Sequence, residues 1–235
     1  MKKLLNTLYI TSEDSYVSLD GENVVVSENG CEKGRVPLHN LEGIVSFGYK
    51  GTSPALMGAC ADRNISLCYL SPQGKFLARV SGKVKGNVIL REQQYRSFLN
   101  DETSLNVAKN CIIGKIYNAR WVLERATRDH GLQVDVEKMK KASENLKNSL
   151  NDVRDCGAKE QLRGFEGQAA QIYFGVFDEL ILQQKKDFFF QGRTKRPPTD
   201  NVNALLSFVY TLLTNTITSA LETVGLDPYV GCLHT

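Results

Sequence analysis

The feature that most constrains the fold of this 235-residue chain is a change in its hydrophobic period near residue 93. Before that point, short runs rich in Val, Ile and Tyr alternate in period two, and turn formers such as Asp20-Gly21 and Asn29-Gly30 separate them. After it, apolar residues recur with the 3.6-residue period of amphipathic helices. The sequence therefore predicts the α+β class, with a β-rich N-terminal domain at residues 1–92 and an α-helical C-terminal domain at residues 93–235.

Six strands and one helix are expected in the first domain. The helix is predicted at Ala55–Arg63, because Ser53 and Pro54 form a typical helix start. The predicted strands are Leu4–Ile10, Tyr16–Leu19, Val24–Ser27, Gly43–Phe47, Ile65–Leu70 and Phe76–Val80.

Four helices are expected in the second domain. The first carries an apolar stripe from Leu105 to Leu123 and ends near His130-Gly131. The others are predicted at Val136–Leu150, at Lys159–Gln183 and from about Asp200 to Val224. Asp200 suits the N-cap of the last helix, and Gly225 suits its end.

Composition and termini favour a cytoplasmic protein with no membrane partner. Hydrophobic residues make up 42% and charged residues 23% of the chain, as in ordinary globular proteins. Asn6 and Thr7 interrupt the apolar run that a signal peptide needs, and Val202–Leu213 is shorter than the roughly 20 residues that span a bilayer. The six cysteines lack the C-x-x-C spacing of a zinc site, so we expect reduced thiols.

Glu166 lies in the predicted third helix between two glycines, Gly164 and Gly167. Each glycine costs about 1 kcal/mol of helix stability relative to Ala, which points to the close approach of another helix, a ligand or a metal. Helical spacing also puts Arg163 and Tyr173 on the face of Glu166. The alternative is that Glu166 pairs with Arg163 on a solvated face and that the glycines only allow tight packing.

Two other features are candidates for binding. The segment Phe188–Pro198 contains three cations, Arg193, Lys195 and Arg196, which either contact phosphates or are simply solvated. His234 follows an apolar run that would point its imidazole towards the helical bundle. Alone, it fits a structural histidine equally well.

Taken in order, four segments resemble the successive motifs of the CRISPR-associated integrase family. They are Leu162–Gly167, Arg196–Phe208, Gly225–Tyr229 and Gly231–Thr235, and Leu4–Ile10 resembles the subtype found in type I-C systems. The resemblance covers essentially the whole chain. It implies a metal-dependent DNA endonuclease/integrase that inserts foreign DNA fragments into the CRISPR array as part of antiviral defence. It also implies a homodimer formed by the β-rich domain, protospacer and CRISPR-repeat DNA as partners, and a small CRISPR adaptation partner protein.

The resemblance also assigns roles to individual residues. Glu166 and His234 would be the catalytic residues and the ligands of one Mg²⁺ or Mn²⁺ ion, since a carboxylate with an imidazole suits these metals better than zinc. Asn203 and Ser207 would line the site. Candidate DNA contacts are Arg163, Tyr173, Arg193, Lys195 and Arg196.

One departure from the family pattern concerns the third, acidic metal ligand, which the family carries beyond its His. Because this chain stops at Thr235, we expect a C-terminally truncated protein with weak metal affinity and much reduced activity, but with intact dimerisation. Truncation should also expose an apolar face of the last helix. The alternatives are a non-catalytic DNA-binding or assembly module, a branched-DNA repair nuclease and a purely structural protein.

Overall fold

The computed structural model describes residues 6–83, 88–195 and 197–234. The chain forms two compact units, one of Met1–Leu90 with Phe208–Asp227 and one of Arg91–Ser207 with Pro228–Thr235. The β-rich region precedes the helices, so the predicted α+β class is confirmed. The two units differ from the expected ranges 1–92 and 93–235, because most of the last helix belongs to the first unit.

Two sheets make up the β-structure of the first unit. One contains, in spatial order, β1 (Thr7–Ile10), β5 (Gly43–Phe47), β6 (Ser66–Leu70) and β7 (Phe76–Val80). Its first three strands are parallel, and β7 is antiparallel to β6. The other sheet is the antiparallel meander β2 (Ser15–Asp20), β3 (Asn23–Glu28) and β4 (Cys31–Pro37).

Both predicted hairpin turns are present in the meander. Gly21 has a φ of 56°, and Asn29 and Gly30 have φ values of 50° and 79°, as tight hairpin turns require. The strand β4 was not predicted, because Glu32, Lys33 and Arg35 interrupt the apolar alternation. As an edge strand it is held by backbone pairing with β3, which needs no apolar pattern.

Helix α1 (Pro54–Asp62) forms where the sequence predicts it. The Ser53 hydroxyl accepts a hydrogen bond from the Leu56 amide at 3.2 Å, and Pro54 stands in the first turn. The core of this unit combines side chains from both sheets and from α1. Its fully buried members include Val17, Val24, Leu38, Ile44, Leu56 and Leu67.

The remaining helices are α2 (Val88–Leu99), α3 (Asp101–Asp129), α4 (Val136–Asp155), α5 (Lys159–Phe174) and α6 (Asn201–Thr223). The described part of α2 contains no buried residue, which explains why the apolar period did not reveal it. In the second unit, α3, α4 and α5 share a core with the segment after residue 228. Its members include Ile112, Ile116, Leu123, Met139, Leu146, Leu162, Ala169 and Leu233.

Helix α5 is shorter than predicted, because it ends at Phe174 rather than near Gln183. Gly175 follows it, and its amide still donates to the Gln171 carbonyl at 2.9 Å. The chain then makes a 3₁₀ turn at Phe177–Leu180. This turn brings the Phe177 ring to 5.6 Å from that of Phe174, so aromatic packing replaces further helical turns.

Helix α6 is long and apolar enough to cross a membrane by length and composition, and it exceeds the stretch Val202–Leu213 considered above. Its contacts in the first unit are those of a helix packed on a sheet. The Ser219 hydroxyl lies 3.0 Å from that of Ser66, Arg79 donates to Glu222 at 2.8 Å, and the Phe208 ring lies 5.9 Å from that of Phe47. One such helix is weak evidence for a membrane span, and these polar contacts favour a packed helix.

Candidate functional site

Glu166 is presented by α5 towards α3. Its side chain is only 22% exposed, and its carboxylate forms an ion pair with the ammonium group of Lys115 on α3. The alternative pairing with Arg163 is wrong, because Arg163 forms its ion pair with Glu160 one turn earlier. The carboxylate of Glu166 therefore already accepts a cation from another helix.

The two glycines beside Glu166 do not serve tight packing. We built a Cβ atom at Gly164 and at Gly167. Within the described ranges 6–83, 88–195 and 197–234, no heavy atom lies within 4 Å of either Cβ, apart from the adjoining residues and the nearby backbone of α5 itself. Both positions face open space. The packing explanation of these glycines is therefore wrong, and both glycine positions remain accessible on the surface of α5.

Arg163 connects α5 to the segment that carries His234. Its Nη2 and Nε atoms donate to the carbonyl oxygen of Leu233 at 2.6 and 3.2 Å. The Leu233 side chain is buried in the core of the second unit, whereas His234 is exposed. The C-terminal segment is thus fixed at the turn of α5 that precedes Glu166. This contact gives Arg163 a structural role that the sequence did not predict.

Asn203, at the start of α6, organises residues 192–195, which carry Arg193 and Lys195 and are called the basic loop below. It is completely buried, and both ends of its amide are used. Its Nδ2 donates to the Gly192 carbonyl at 2.8 Å, and its Oδ1 accepts from the Thr194 amide at 3.0 Å. The same Oδ1 accepts from Arg193 at 2.8 Å. Asn203 therefore holds the loop from within instead of presenting a free amide to a ligand.

The predicted phosphate contacts differ in how far they are available. Arg193 donates to the Ser207 hydroxyl at 3.3 Å in addition to its bond with Asn203, so its guanidinium is part of the internal network. Lys195 is exposed. Arg196 lies outside the described residues.

Tyr173 belongs to an aromatic cluster at the end of α5. Its ring centroid lies 5.5 Å from that of Phe174 and 5.6 Å from that of Phe177. Phe190, from the aromatic run before the basic loop, stacks on Phe174 at 5.6 Å and is buried. Tyr173 is half-buried against the core of the second unit, so its ring contributes to packing.

Asp200 begins α6, as its predicted N-cap position requires. Its Oδ1 accepts from the Asn203 amide at 2.7 Å, and its Oδ2 accepts from the Asn203 side chain at 2.6 Å. These hydrogen bonds, with a smaller contribution from the charge of Arg193, hold the pKa of the Asp200 carboxyl below its ordinary value. The carboxylate is thus one more member of the Asn203 network.

A divalent metal fits the donors of this site in part. Glu166 supplies a half-buried carboxylate that already accepts a cation, and His234 is an exposed imidazole on a segment anchored to the same helix. Within the described part of the chain, no three His, Cys, Asp or Glu residues are grouped to hold a metal. Two protein ligands would leave the remaining coordination positions to a further ligand, water or phosphate.

Lys115 is the residue of this site that sequence reasoning missed. It follows Gly114 on α3, next to the buried stripe residues Ile112 and Ile116, and is itself 51% exposed. A lysine at such a position resembles any solvated helix residue. Its relation to Glu166 spans 51 residues, and no local pattern in the sequence records it.

Comparison with known proteins gives a consistent family. The family profile of "CRISPR associated protein Cas1" matches residues 8–235. A CRISPR-associated endonuclease Cas1 from Chlorobaculum tepidum is 48% identical over 234 residues, and the match covers 100% of this chain and 68% of that protein. One from Rhodospirillum rubrum is also 48% identical, with the same coverage of both chains.

Solved structures share the fold at lower sequence identity. A Cas1 protein from Thermotoga maritima is 20% identical with a TM-score of 0.75, covering 98% of this chain and 69% of its own. A casposase bound to integration product is 22% identical with a TM-score of 0.76, covering 98% of this chain and 65% of its own. By its family profile and its relatives, the chain belongs to the Cas1 family of CRISPR-associated endonucleases.

Proposed function

We propose that this protein acts as a metal-dependent DNA endonuclease and integrase that inserts DNA fragments into a CRISPR array in the cytoplasm. The observation that carries the proposal is the placement of Glu166, a half-buried carboxylate, on the helix to which the His234 segment is anchored. The related CRISPR-associated endonucleases support the nuclease activity, and the fold shared with a casposase bound to integration product supports integration chemistry.

Glu166 and His234 would hold Mg²⁺ or Mn²⁺, with a third, acidic ligand expected from the family resemblance. When bound, the metal would supply Lewis-acid polarisation of a phosphoryl oxygen. Arg163 keeps the His234 segment on α5 through the Leu233 carbonyl. Because strand transfer exchanges one phosphodiester for another, it needs no ATP. Positioning of the attacking 3′-hydroxyl next to the phosphodiester would supply much of the rate acceleration.

The exposed Lys195 is proposed to contact DNA phosphates, and the DNA is proposed to lie against the accessible surface of α5 at Gly164 and Gly167. Arg193 would contribute positive charge within the basic loop while its guanidinium stays hydrogen-bonded to Asn203. Arg196, Tyr173 and Arg163 are also proposed to contact the DNA. Each Lys or Arg that meets a phosphate should make DNA binding more dependent on salt.

The proposed assembly is a homodimer with a small CRISPR adaptation partner, within a type I-C system. Solved structures with the same fold include a Cas6-RT-Cas1–Cas2 complex and a complex of a Cas1 protein with DNA. Those complexes support a Cas2-type partner and a DNA substrate. The opening segment Thr7–Ile10, which forms β1, carries part of the subtype resemblance.

A non-catalytic DNA-binding module is the second candidate function, and the pairing of Glu166 with Lys115 favours it. In that role the ion pair would be structural, and removal of the carboxylate would leave DNA binding unchanged. A branched-DNA repair nuclease is separated from an integrase by its products. Only an integrase joins a 3′-hydroxyl end to a repeat-containing duplex.

The deciding experiment compares the wild type with Glu166→Gln in the presence of Mn²⁺. Two readouts are measured, the Mn²⁺-dependent rise in melting temperature and the joining of a labelled 3′-hydroxyl strand to repeat-containing DNA. Glu144→Gln is the matched control, because Glu144 is an exposed carboxylate of α4 paired with Lys147. We expect Glu166→Gln to abolish the Mn²⁺ stabilisation and to lower joining by more than roughly 100-fold, given the size of ligand-shell effects. Unchanged Mn²⁺ stabilisation and joining in Glu166→Gln would contradict the proposal.

A further inference from the structure

Glu166 meets a second helix through a cation of the protein itself. The Lys115 ammonium lies at the carboxylate oxygen Oε1, on the side of Glu166 that faces α3. A divalent metal bound by the same carboxylate would bring two positive charges next to this ammonium. Because two cations bound to one carboxylate repel each other, the ammonium and the metal cannot both lie at their preferred distance from the Glu166 oxygens.

The ion pair is arranged so that it can open. Lys115 is 51% exposed, so its ammonium can turn into water without leaving an unsatisfied buried charge. Glu166 is the more enclosed partner at 22% exposure, and its carboxylate would need a replacement cation.

We propose that Lys115 is an internal counter-cation of Glu166 that competes with the divalent metal and must be displaced when the metal binds. This inference rests on the proposed role of Glu166 as a metal ligand. Lys115 thereby lowers the metal affinity of the free protein and protects the carboxylate from being left uncompensated. It acts through Glu166 and is a positioning residue.

The test measures Mn²⁺ alone, by electron paramagnetic resonance of the free ion at increasing total Mn²⁺. Lys115→Met removes the charge and keeps most of the length of the side chain, whereas Lys115→Arg keeps the charge. Lys109→Met is the matched control, because Lys109 lies on the same helix and donates to the Arg154 carbonyl at 3.0 Å, away from Glu166. The melting temperature without metal shows that each variant is folded.

We expect the dissociation constant for Mn²⁺ to fall roughly two- to fivefold in Lys115→Met, the range that a partly exposed ion pair allows. Lys115→Arg and Lys109→Met should stay close to the wild type. An unchanged or weaker Mn²⁺ affinity in Lys115→Met would overturn the competition. Glu166→Gln separates the two proposals. If this variant still binds Mn²⁺, the metal site at Glu166 is overturned. If it loses Mn²⁺ binding, the metal site stands and Lys115→Met tests the competition alone.

Discussion

At the scale of single residues, Asn203 shows how one buried amide can fix a functional loop. Its side chain bridges Gly192 and Thr194 on the loop to Asp200 at the start of α6, and it receives Arg193 on the same oxygen. A buried amide with every group paired is stable only in one arrangement, because any change leaves a donor or acceptor unsatisfied. The family resemblance assigned Asn203 to the lining of the site. Its observed bonds indicate support of the loop.

The substitution Asp200→Ala should lower the free energy of unfolding by about 1 to 2 kcal/mol, as the loss of an N-cap usually does. The variant removes the acceptors of both the amide and the side chain of Asn203. Urea denaturation at pH 7 measures the loss. Glu144→Ala is the control, since it removes an exposed carboxylate from the interior of α4 and should change stability by less than about 0.5 kcal/mol. Equal effects of the two substitutions would contradict the role of the cap.

The same carboxyl group predicts a pH dependence with a definite sign. Its pKa is lowered in the folded protein by the hydrogen bonds from Asn203, whereas the unfolded chain has the ordinary value of about 3.9. A lowered pKa means that the stabilisation is present above about pH 4 and is lost as the pH falls through the folded value. We therefore expect the difference in unfolding free energy between wild type and Asp200→Ala to shrink below about pH 4. A difference that grows on acidification would contradict this assignment.

At the scale of secondary-structure elements, sequence predicts best where the signal is local. The Ser53-Pro54 start of α1 and the Asn29-Gly30 turn depend on backbone chemistry within a few residues, and both were predicted. The strand β4 and the described part of α2 have little or no buried apolar stripe, so a method based on hydrophobic period misses them. The pairing of Lys115 with Glu166 depends on how α3 packs on α5, which no local pattern encodes.

The candidate site shows the same limit. The glycines around Glu166 led us to predict a site there, and the alternative drawn from helical spacing paired its carboxylate with Arg163. Arg163 instead reaches Leu233, 70 residues away, and so ties α5 to the C-terminal segment. Glu166 thus stays a predicted site residue, whereas its pairing with Lys115 is set by tertiary packing.

Substitutions Gly164→Ala and Gly167→Ala should each raise the stability of the protein, by about 1 kcal/mol or less. Both glycines lie inside α5 with open space at the Cβ position, and Ala restricts the unfolded chain more than Gly does. If that space admits DNA, each variant should also bind a labelled oligonucleotide more weakly. Thermal denaturation and fluorescence anisotropy measure the two effects.

Gly58→Ala is the matched control for the glycine pair. Gly58 lies inside α1 of the other unit, and a Cβ there also meets open space. It should raise stability in the same way without changing DNA binding. Stabilised α5 variants whose DNA affinity equals that of Gly58→Ala would contradict a ligand-binding role for the open face.

At the scale of the whole molecule, α6 combines two surfaces of different character. One side packs on the first sheet through Phe208, Ser219 and Glu222. Another side exposes Val209, Leu213 and Ile217 at four-residue spacing, with exposed fractions of 56%, 50% and 50%. Three apolar residues on adjacent turns form a continuous stripe, and such a stripe favours association with another apolar surface.

Self-association through this stripe is the prediction that belongs to the whole molecule. Leu213→Glu places a charge in the centre of the stripe, so that burying it against another copy would require desolvation of an unpaired carboxylate. Sedimentation velocity should therefore show a smaller fraction of high-mass species for Leu213→Glu than for the wild type at the same concentration. Leu132→Glu is the control, because Leu132 is fully exposed between α3 and α4, outside the stripe. The proposed dimer of the β-rich unit should persist in both variants, since neither Leu213 nor Leu132 lies in β1–β7. An equal loss of high-mass species in the two variants would show that general charge repulsion, and not the α6 stripe, controls association.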